Sequence, residues 1–165
     1  MHYRYPIIVT ASKKILCGTF WTTIWICKVM SEKPLASVVI VSYQSRSDLE
    51  DCLPSVCSQT YENYEIILVD NDSSDGSVAY VRENHPEIRV LENETNRGYP
   101  GGNNDGFETA RGDYLVVLNP DVEVEHDWLE HLLDPLESNS NIGLATSRVI
   151  KFDDRERLNT CGNIA

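Results

Sequence analysis

The sequence predicts an α/β domain with a mostly parallel sheet covered by helices. Three observations predict it. Strand-length apolar runs recur at Val38-Val39-Ile40-Val41, Ile66-Ile67-Leu68-Val69 and Tyr114-Leu115-Val116-Val117-Leu118. They are continuous rather than alternating, as strands buried on both faces require. Stretches with helical spacing lie between them, which is the signature of βαβ units with right-handed crossovers. Two of the runs also end in acid, at Val69-Asp70-Asn71-Asp72 and at Leu118-Asn119-Pro120-Asp121. In open α/β sheets the carboxyl ends of the strands are where ligands bind.

The elements follow in order. Pro34 separates a leader from the first strand, Ser37 to Tyr43. Ser47 or Asp48 is placed to cap a helix running through Cys57, with Leu49, Leu53, Val56 and Cys57 on one face. Pro54 conflicts with that helix, since it lacks an amide donor and should kink or divide it. Tyr64 to Val69 is the second strand. A helix from Ser74 or Asp75 reaches toward Asn84 and stops at His85-Pro86. Ile88 to Leu91 reads as a short third strand. Asn96 to Asn104 reads as a glycine- and asparagine-rich loop, with a short helix near Asp105 to Ala110. Arg111-Gly112-Asp113 is a turn, and Tyr114 to Leu118 the fourth strand. Trp128, Leu129, Leu132, Leu133 and Leu136 form the apolar stripe of a helix from about Glu125 to Leu136. A fifth strand falls within Ile142 to Ile150. The run Leu158 to Ala165 reads as neither a finished helix nor a polar tail, so the expected fold is incomplete.

Charge divides the chain at the same place as pattern does. Through Lys33 there are five basic residues and one acidic, a net of +4. Beyond it nine basic residues face 25 acidic, a net of −16. Such an acidic surface repels nucleic acid, and no basic patch with interleaved aromatics offsets it. Residues 1–33 are therefore read as a leader, interfacial or disordered, and 34–165 as the folded portion. Within the leader, Ile15 to Cys27 is apolar and flanked by lysines. It is shorter than the roughly 20 residues a membrane-spanning helix needs. A short apolar helix with lysines suits the surface of a membrane instead, so peripheral membrane contact is expected and the leader is expected to be dispensable for folding. Five cysteines at 17, 27, 52, 57 and 161 make no tight pair. That indicates a reducing cytoplasm and gives no zinc-type spacing. His126 and His131 likewise lack a third ligand at suitable spacing.

Three strand-end loops carry the chemistry. Tyr43 offers a ring to stack on a base and Gln44 an amide to hydrogen-bond to it, against the plainer reading of Tyr43 as packing. In Asp70-Asn71-Asp72-Ser73-Ser74-Asp75-Gly76-Ser77, Asp70 and Asp72 can accept from a base N–H or a ribose hydroxyl, while Asp75 and Ser77 suit caps. Turn residues alone would also account for the loop. It lacks the glycines of a dinucleotide fingerprint. In Asn96-Arg97-Gly98-Tyr99-Pro100-Gly101-Gly102-Asn103-Asn104, the amides suit sugar hydroxyls and Arg97 a phosphate. Asp121 is the metal candidate, because Mg²⁺ and Mn²⁺ take hard oxygen ligands and often share one carboxylate with substrate phosphates. Asn119 can hold that loop or touch a sugar. Glu123 and Glu125 read as solvated.

Four ordered features, VIVSYQ, VDNDSSDGS, NRGYPGGNNDG and GDYLVVLNPD ahead of a helix containing Trp128 and Leu129, resemble the inverting family-2 glycosyltransferases. The last two resemble the rhamnosyltransferase-like branch. The resemblance runs from Ser37 to about Ile150 and implies a GT-A-like fold of which only the donor-binding half is present. It implies transfer of a sugar from a nucleoside-diphosphate donor, UDP- or dTDP-linked, to a hydroxyl on a glycan or lipid-linked acceptor in polysaccharide or glycoconjugate synthesis, at the cytoplasmic side of the inner membrane. It places Tyr43, Asp70 and Asp72 around the base and ribose, and Arg97, Gly102, Asn103 and Asn104 beside the donor. Asp121 becomes the acid that holds Mg²⁺ or Mn²⁺. Asn119 stands where the family's motif usually has a second aspartate, which leaves fewer protein charges on the metal. No segment supplies a general base. Two rivals remain: a truncated protein that binds nucleotide sugar without catalysis, and a sugar-phosphate nucleotidyltransferase. The second would need an early glycine-rich loop with Arg or Lys for a triphosphate, and none lies near Ser42.

Overall fold

The computed structural model describes residues 33–150, together with the backbone of two short strands at 11–13 and 158–160. In chain order the elements are β1 (Ala11–Lys13), β2 (Ala36–Ser42), α1 (Arg46–Val56), β3 (Tyr64–Asp70), α2 (Ser77–Asn84) and β4 (Arg89–Glu92). They continue with α3 (Gly98–Thr109), β5 (Tyr114–Leu118), α4 (Trp128–Ser138), β6 (Leu144–Ala145), β7 (Val149–Ile150) and β8 (Leu158–Thr160). The main sheet has the order β4-β3-β2-β5-β1-β6, and β7 and β8 form a separate antiparallel pair.

The central four strands, β4, β3, β2 and β5, are parallel, as the continuous apolar runs require. Val38 lies in register with Ile66 on one side and Val116 on the other. Alternate residues of each run then cover opposite faces. Val38, Ile40, Ile66, Leu68, Val116 and Leu118 pack with Leu49, Leu53 and Val56 of α1 and Leu129, Leu133 and Leu136 of α4. Val39, Val41, Ile67 and Val69 form a smaller core with Phe107 of α3 and Ala110. The fold is therefore α/β, a parallel sheet with helices on both faces, in keeping with the GT-A-like expectation. Three leader residues enter it: β1 pairs antiparallel with both β5 and β6. The apolar run 15–27 lies outside the described residues.

The strand expected within Ile142 to Ile150 is two short ones, β6 in the main sheet and β7 paired with β8, and two helices differ from expectation. The segment read as a glycine- and asparagine-rich loop is the first half of a helix, since α3 begins at Gly98 rather than near Asp105. Pro100 falls in its first turn, where the missing amide has no helical partner to lose. The glycines serve close packing: a Cβ at Gly102 would come within 2.6 Å of Val41 Cγ1, and one at Gly106 within 2.4 Å of Val39 Cγ1. Glycine lowers helix propensity, and here the sheet contact overrides that preference. The other difference is α1, which starts at Arg46 and continues through Pro54 to Val56. Its cap comes from another loop. Asp75 Oδ2 accepts from the Arg46 amide at 2.8 Å, and Asp75 Oδ1 accepts from the Ser77 amide at 3.0 Å. Burial alone would raise the Asp75 carboxyl, but the Ser77 hydroxyl and the Arg46 and Ser77 amides outweigh it and hold it below its ordinary range.

The turn before β5 is latched to the start of the sheet. Ser37 Oγ donates to Glu65 Oε1 at 2.7 Å and accepts from the Gly112 amide at 2.8 Å. Arg111 donates to Glu65 through its amide at 2.8 Å and its guanidinium at 2.7 Å. Burial would raise the Glu65 carboxyl, yet the Arg111 amide, the guanidinium and Ser37 together lower it from 4.5. A carboxylate whose folded pKa is depressed stabilises the fold above its unfolded value and loses that contribution as pH falls. Melting curves of the wild type should therefore drop more steeply below about pH 4.5 than those of Glu65→Gln. Parallel curves would show that the latch carries no linked proton.

Candidate functional site

The strand order places a crevice where the chain changes direction. From β2 the chain proceeds to β3 and β4 on one side, then crosses back through α3 to β5 on the other. Such a switch point, at the carboxyl ends of β2 and β5, is where open α/β sheets hold ligands. The loops that sequence reasoning singled out converge on this edge.

At the end of β3, Asp70 is 3% exposed and lies in register with Ser42 of β2. Asp70 Oδ2 accepts from the Ser73 amide at 2.9 Å, which folds the loop into a turn. Asp70 Oδ1 is buried without a hydrogen-bond partner, and so is Ser42 Oγ. A buried unpaired acceptor costs roughly 1–3 kcal/mol, and a ligand N–H or hydroxyl would remove that cost. Tyr43, 51% exposed, follows Ser42 directly. Gln44 serves the loop instead of standing free for a base: its amide side chain donates to Ser74 Oγ at 3.2 Å and its backbone N–H to Ser73 Oγ at 3.0 Å. Gln44 and Asp72 both have left-handed backbone, at φ 52° and 67°. Few non-glycine residues adopt that region, and those that do concentrate at functional loops. Asp72 is exposed.

The start of α3 is wired to β3 and β4 by residues that sequence reasoning gave no site role. Asn71, 1% exposed, donates through Nδ2 to the Gly98 carbonyl at 3.1 Å. Asn93 Nδ2 donates to Asn71 Oδ1 at 2.9 Å and to Asp105 Oδ2 at 3.0 Å. Arg97 pairs with the other Asp105 oxygen, so its guanidinium is already half engaged. Asn103 donates to the Tyr99 carbonyl at 2.9 Å, and its own Oδ1 is a further buried acceptor with no partner. Gly102 is buried against Val41 and 3.2 Å from Asn71 Nδ2 at its virtual Cβ, so it permits the close approach of α3 to the edge. Asn104 faces solvent on the next helical position. The amide pattern Asn71…Asn93 could have been found from sequence only with the helix start in hand.

At the end of β5, Asn119 Oδ1 accepts from the Tyr99 hydroxyl at 2.7 Å, joining the α3 start to the acidic turn. Burial raises the Tyr99 pKa, and the negative charge of Asp121 adds to the rise. Burial, reinforced by Asp121, pushes the Cys52 thiol beneath the turn up to about 12. It is a neutral core group at physiological pH. Asp121 itself is exposed, as are Glu123 and Glu125. With Asn119 committed to Tyr99, this turn offers one free carboxylate. That donor set fits Mg²⁺ or Mn²⁺ completed by phosphate oxygens and water, and does not fit an all-protein cage. No helix among the described residues is long and apolar enough to cross a membrane.

Known proteins agree with this arrangement. Residues 37–163 match the family model Glycosyl transferase family 2. The chain is 36% identical over 107 residues to glycosyltransferase GlyG of Streptococcus pneumoniae, covering 62% of this chain and 35% of that one. It is 32% identical over 105 residues to glycosyltransferase AglE of Haloferax volcanii, covering 61% and 34%. It thus spans about a third of the length of these relatives. Among solved structures, S. aureus TarS 1-349 superimposes with a TM-score of 0.59 at 23% identity, over 64% of this chain and 33% of that one. The mannosyltransferase PcManGT from Pyrobaculum calidifontis, solved with GDP-Man and Mn²⁺, gives 0.52 at 26% identity over 56% and 29%. A switch-point crevice with acid-tipped strands, on a sheet of this topology and over this matched span, has one reading: the chain belongs to glycosyl transferase family 2.

Proposed function

We propose that this chain binds a nucleoside-diphosphate sugar in the crevice between the ends of β2, β3 and β5, as the donor-binding half of an inverting glycosyltransferase. The buried, unpaired Asp70 Oδ1 at the sheet edge carries the proposal. It suits the imide N–H of a pyrimidine base, which favours a UDP- or dTDP-sugar. Tyr43 stacks on that base, and Asp72 meets the ribose or holds the loop. The diphosphate lies at the start of α3, whose amide ends favour anions, with Arg97 beside it and Asn103 and Asn104 toward the sugar. Asp121 holds Mg²⁺ or Mn²⁺, with Asn119 orienting the turn. When bound, the metal draws charge from the leaving diphosphate. TarS has been solved with UDP and with UDP-GlcNAc, and PcManGT with GDP-Man and Mn²⁺, which supports a nucleotide-sugar pocket on this fold.

The finer assignments follow the sequence motifs. The NRGYPGGNNDG and GDYLVVLNPD segments resemble the rhamnosyltransferase-like branch, which supports action on a glycan or lipid-linked hydroxyl at the cytoplasmic membrane surface. Residues 1–33 are assigned to localisation, with Ala11–Lys13 also giving the main sheet a strand.

Calorimetry with UDP-, dTDP- and GDP-sugars, each with and without Mn²⁺, tests the donor site. Asp121→Asn should lose most of the metal-dependent gain in affinity while its melting temperature stays within about 2 °C of wild type, as for an exposed position. Equal affinities with metal present would remove Asp121 from the site. The 165-residue chain by itself is expected to bind donor and transfer little or no sugar, because no described residue is placed as a base for an acceptor hydroxyl. Robust turnover by this chain with a defined acceptor would overturn the donor-half reading.

A further inference from the structure

The opposite edge of the sheet brings together three metal-ligating side chains from separate elements. Cys57 caps the end of α1, His85 caps the end of α2, and Glu87 lies in the turn leading to β4. Cys57 Sγ is 3.7 Å from His85 Nδ1, and His85 Nδ1 is 3.6 Å from Glu87 Oε1. All three ligating atoms lie within 4.8 Å of one another, the one such group among the described residues. We propose that Cys57, His85 and Glu87 bind a zinc-like divalent cation at the amino edge of the sheet, remote from the donor crevice.

The geometry suits the ion. Tetrahedral zinc with bonds of 2.0–2.3 Å to sulfur, nitrogen and oxygen sets its ligand atoms roughly 3.3–3.6 Å apart. The two separations from His85 need only a few tenths of an ångström of closure, and Cys57 and Glu87 lie within 4.8 Å of each other. Thiolate, imidazole and carboxylate is a ligand set that selects zinc over magnesium. The surroundings favour a cation: α1 and α2 both end here, and each presents its partial negative charge to the cluster. The site is also held from outside. Tyr64 Oη donates to the Cys57 carbonyl at 3.0 Å, and the Ile88 amide to the His85 carbonyl at 3.0 Å. Tyr80 packs edge-on to the His85 ring at 5.8 Å. Three protein ligands leave a fourth position to water, and with Cys57 and His85 half-buried and Glu87 exposed that position is reachable. Burial, with the Glu87 carboxylate beside it, pushes the metal-free Cys57 thiol up to about 12, so it is no free nucleophile, and binding metal must release its proton. The ion would tie the ends of both helices to the start of β4.

The full chain, reduced and metal-free, should be titrated with Co²⁺. Wild type should show a near-ultraviolet thiolate-to-cobalt band and intense tetrahedral visible bands at one equivalent, both displaced by Zn²⁺. Cys57→Ser should lose the thiolate band, and His85→Asn should weaken binding by about 100-fold or more, since even outer partners of a ligand cost 10–100-fold. Asp121→Asn should leave the cobalt spectrum unchanged, which separates this site from the donor metal. Zn²⁺ should raise the melting temperature of wild type and leave that of Cys57→Ser unmoved. A wild-type chain without the thiolate band, or a band that persists in Cys57→Ser, would show that the three groups form only a hydrogen-bonded cluster.

Discussion

Gly112→Ala is expected to destabilise the fold by about 2–4 kcal/mol, the sum of an overpacked contact and a lost buried hydrogen bond. A Cβ at Gly112 would lie 2.7 Å from the Ser37 amide nitrogen, 2.7 Å from Ser37 Oγ and 2.8 Å from the Leu35 carbonyl oxygen. Two of those three atoms are backbone at the start of β2, one of the two inner strands of the parallel four, and cannot swing aside as a side-chain tip can. Relief would have to come from moving the turn, which breaks the Gly112 amide bond to Ser37 Oγ and disturbs the Arg111 clamp on Glu65. Gly143→Ala is the control, since nothing lies within 4 Å of its virtual Cβ. Urea midpoints compare the two. Similar midpoints would show that the turn tolerates the methyl and that the latch is not tight.

Asp70→Ala is expected to weaken donor binding by roughly 10- to 150-fold, the cost of 1.5–3 kcal/mol for a hydrogen bond made by a charged group. The same change frees the Ser73 amide, whose partner is Asp70 Oδ2, so part of the loss comes from a looser loop. Asp70→Asn separates the two effects. Asparagine keeps an oxygen for one donor and brings an NH₂ that cannot accept from a base. If Asp70 reads the base, Asn should bind donor nearly as poorly as Ala while melting close to wild type. If Asp70 only shapes the loop, Asn should restore affinity. Isothermal titration with UDP, which omits the sugar, confines the comparison to the nucleotide.

Much of this molecule is legible without coordinates, and the reason is local. Val38–Val41 and Ile66–Val69 are apolar on both faces, so they can only be interior parallel strands, and the acids that close them mark the ligand edge wherever the helices lie. The stripe from Leu129 to Leu136 identifies its own helix by spacing alone. Asp70 and Asn103 could be singled out because polar side chains at strand ends and in an amide-rich segment leave a local signature.

What escaped depends on contacts between distant segments. Propensity made the run around Gly98–Asn104 a loop, and the flat surface of Val39 and Val41 makes it a helix, because only glycine lets a helix axis come that near a sheet. The same long-range packing turns Asn71, Asn93, Asp105 and Arg97 into one hydrogen-bonded frame and commits Gln44 to a neighbouring loop. It brings Cys57, His85 and Glu87 together across 30 residues of chain. By itself the sequence determined the interior strands and most of the helices, and pointed to the edge of the sheet where ligand is proposed to bind. Tertiary structure alone decided which side chains at that edge remain unpaired, because a hydrogen bond or a ligand geometry is a distance in space, and residue spacing along the chain does not encode it.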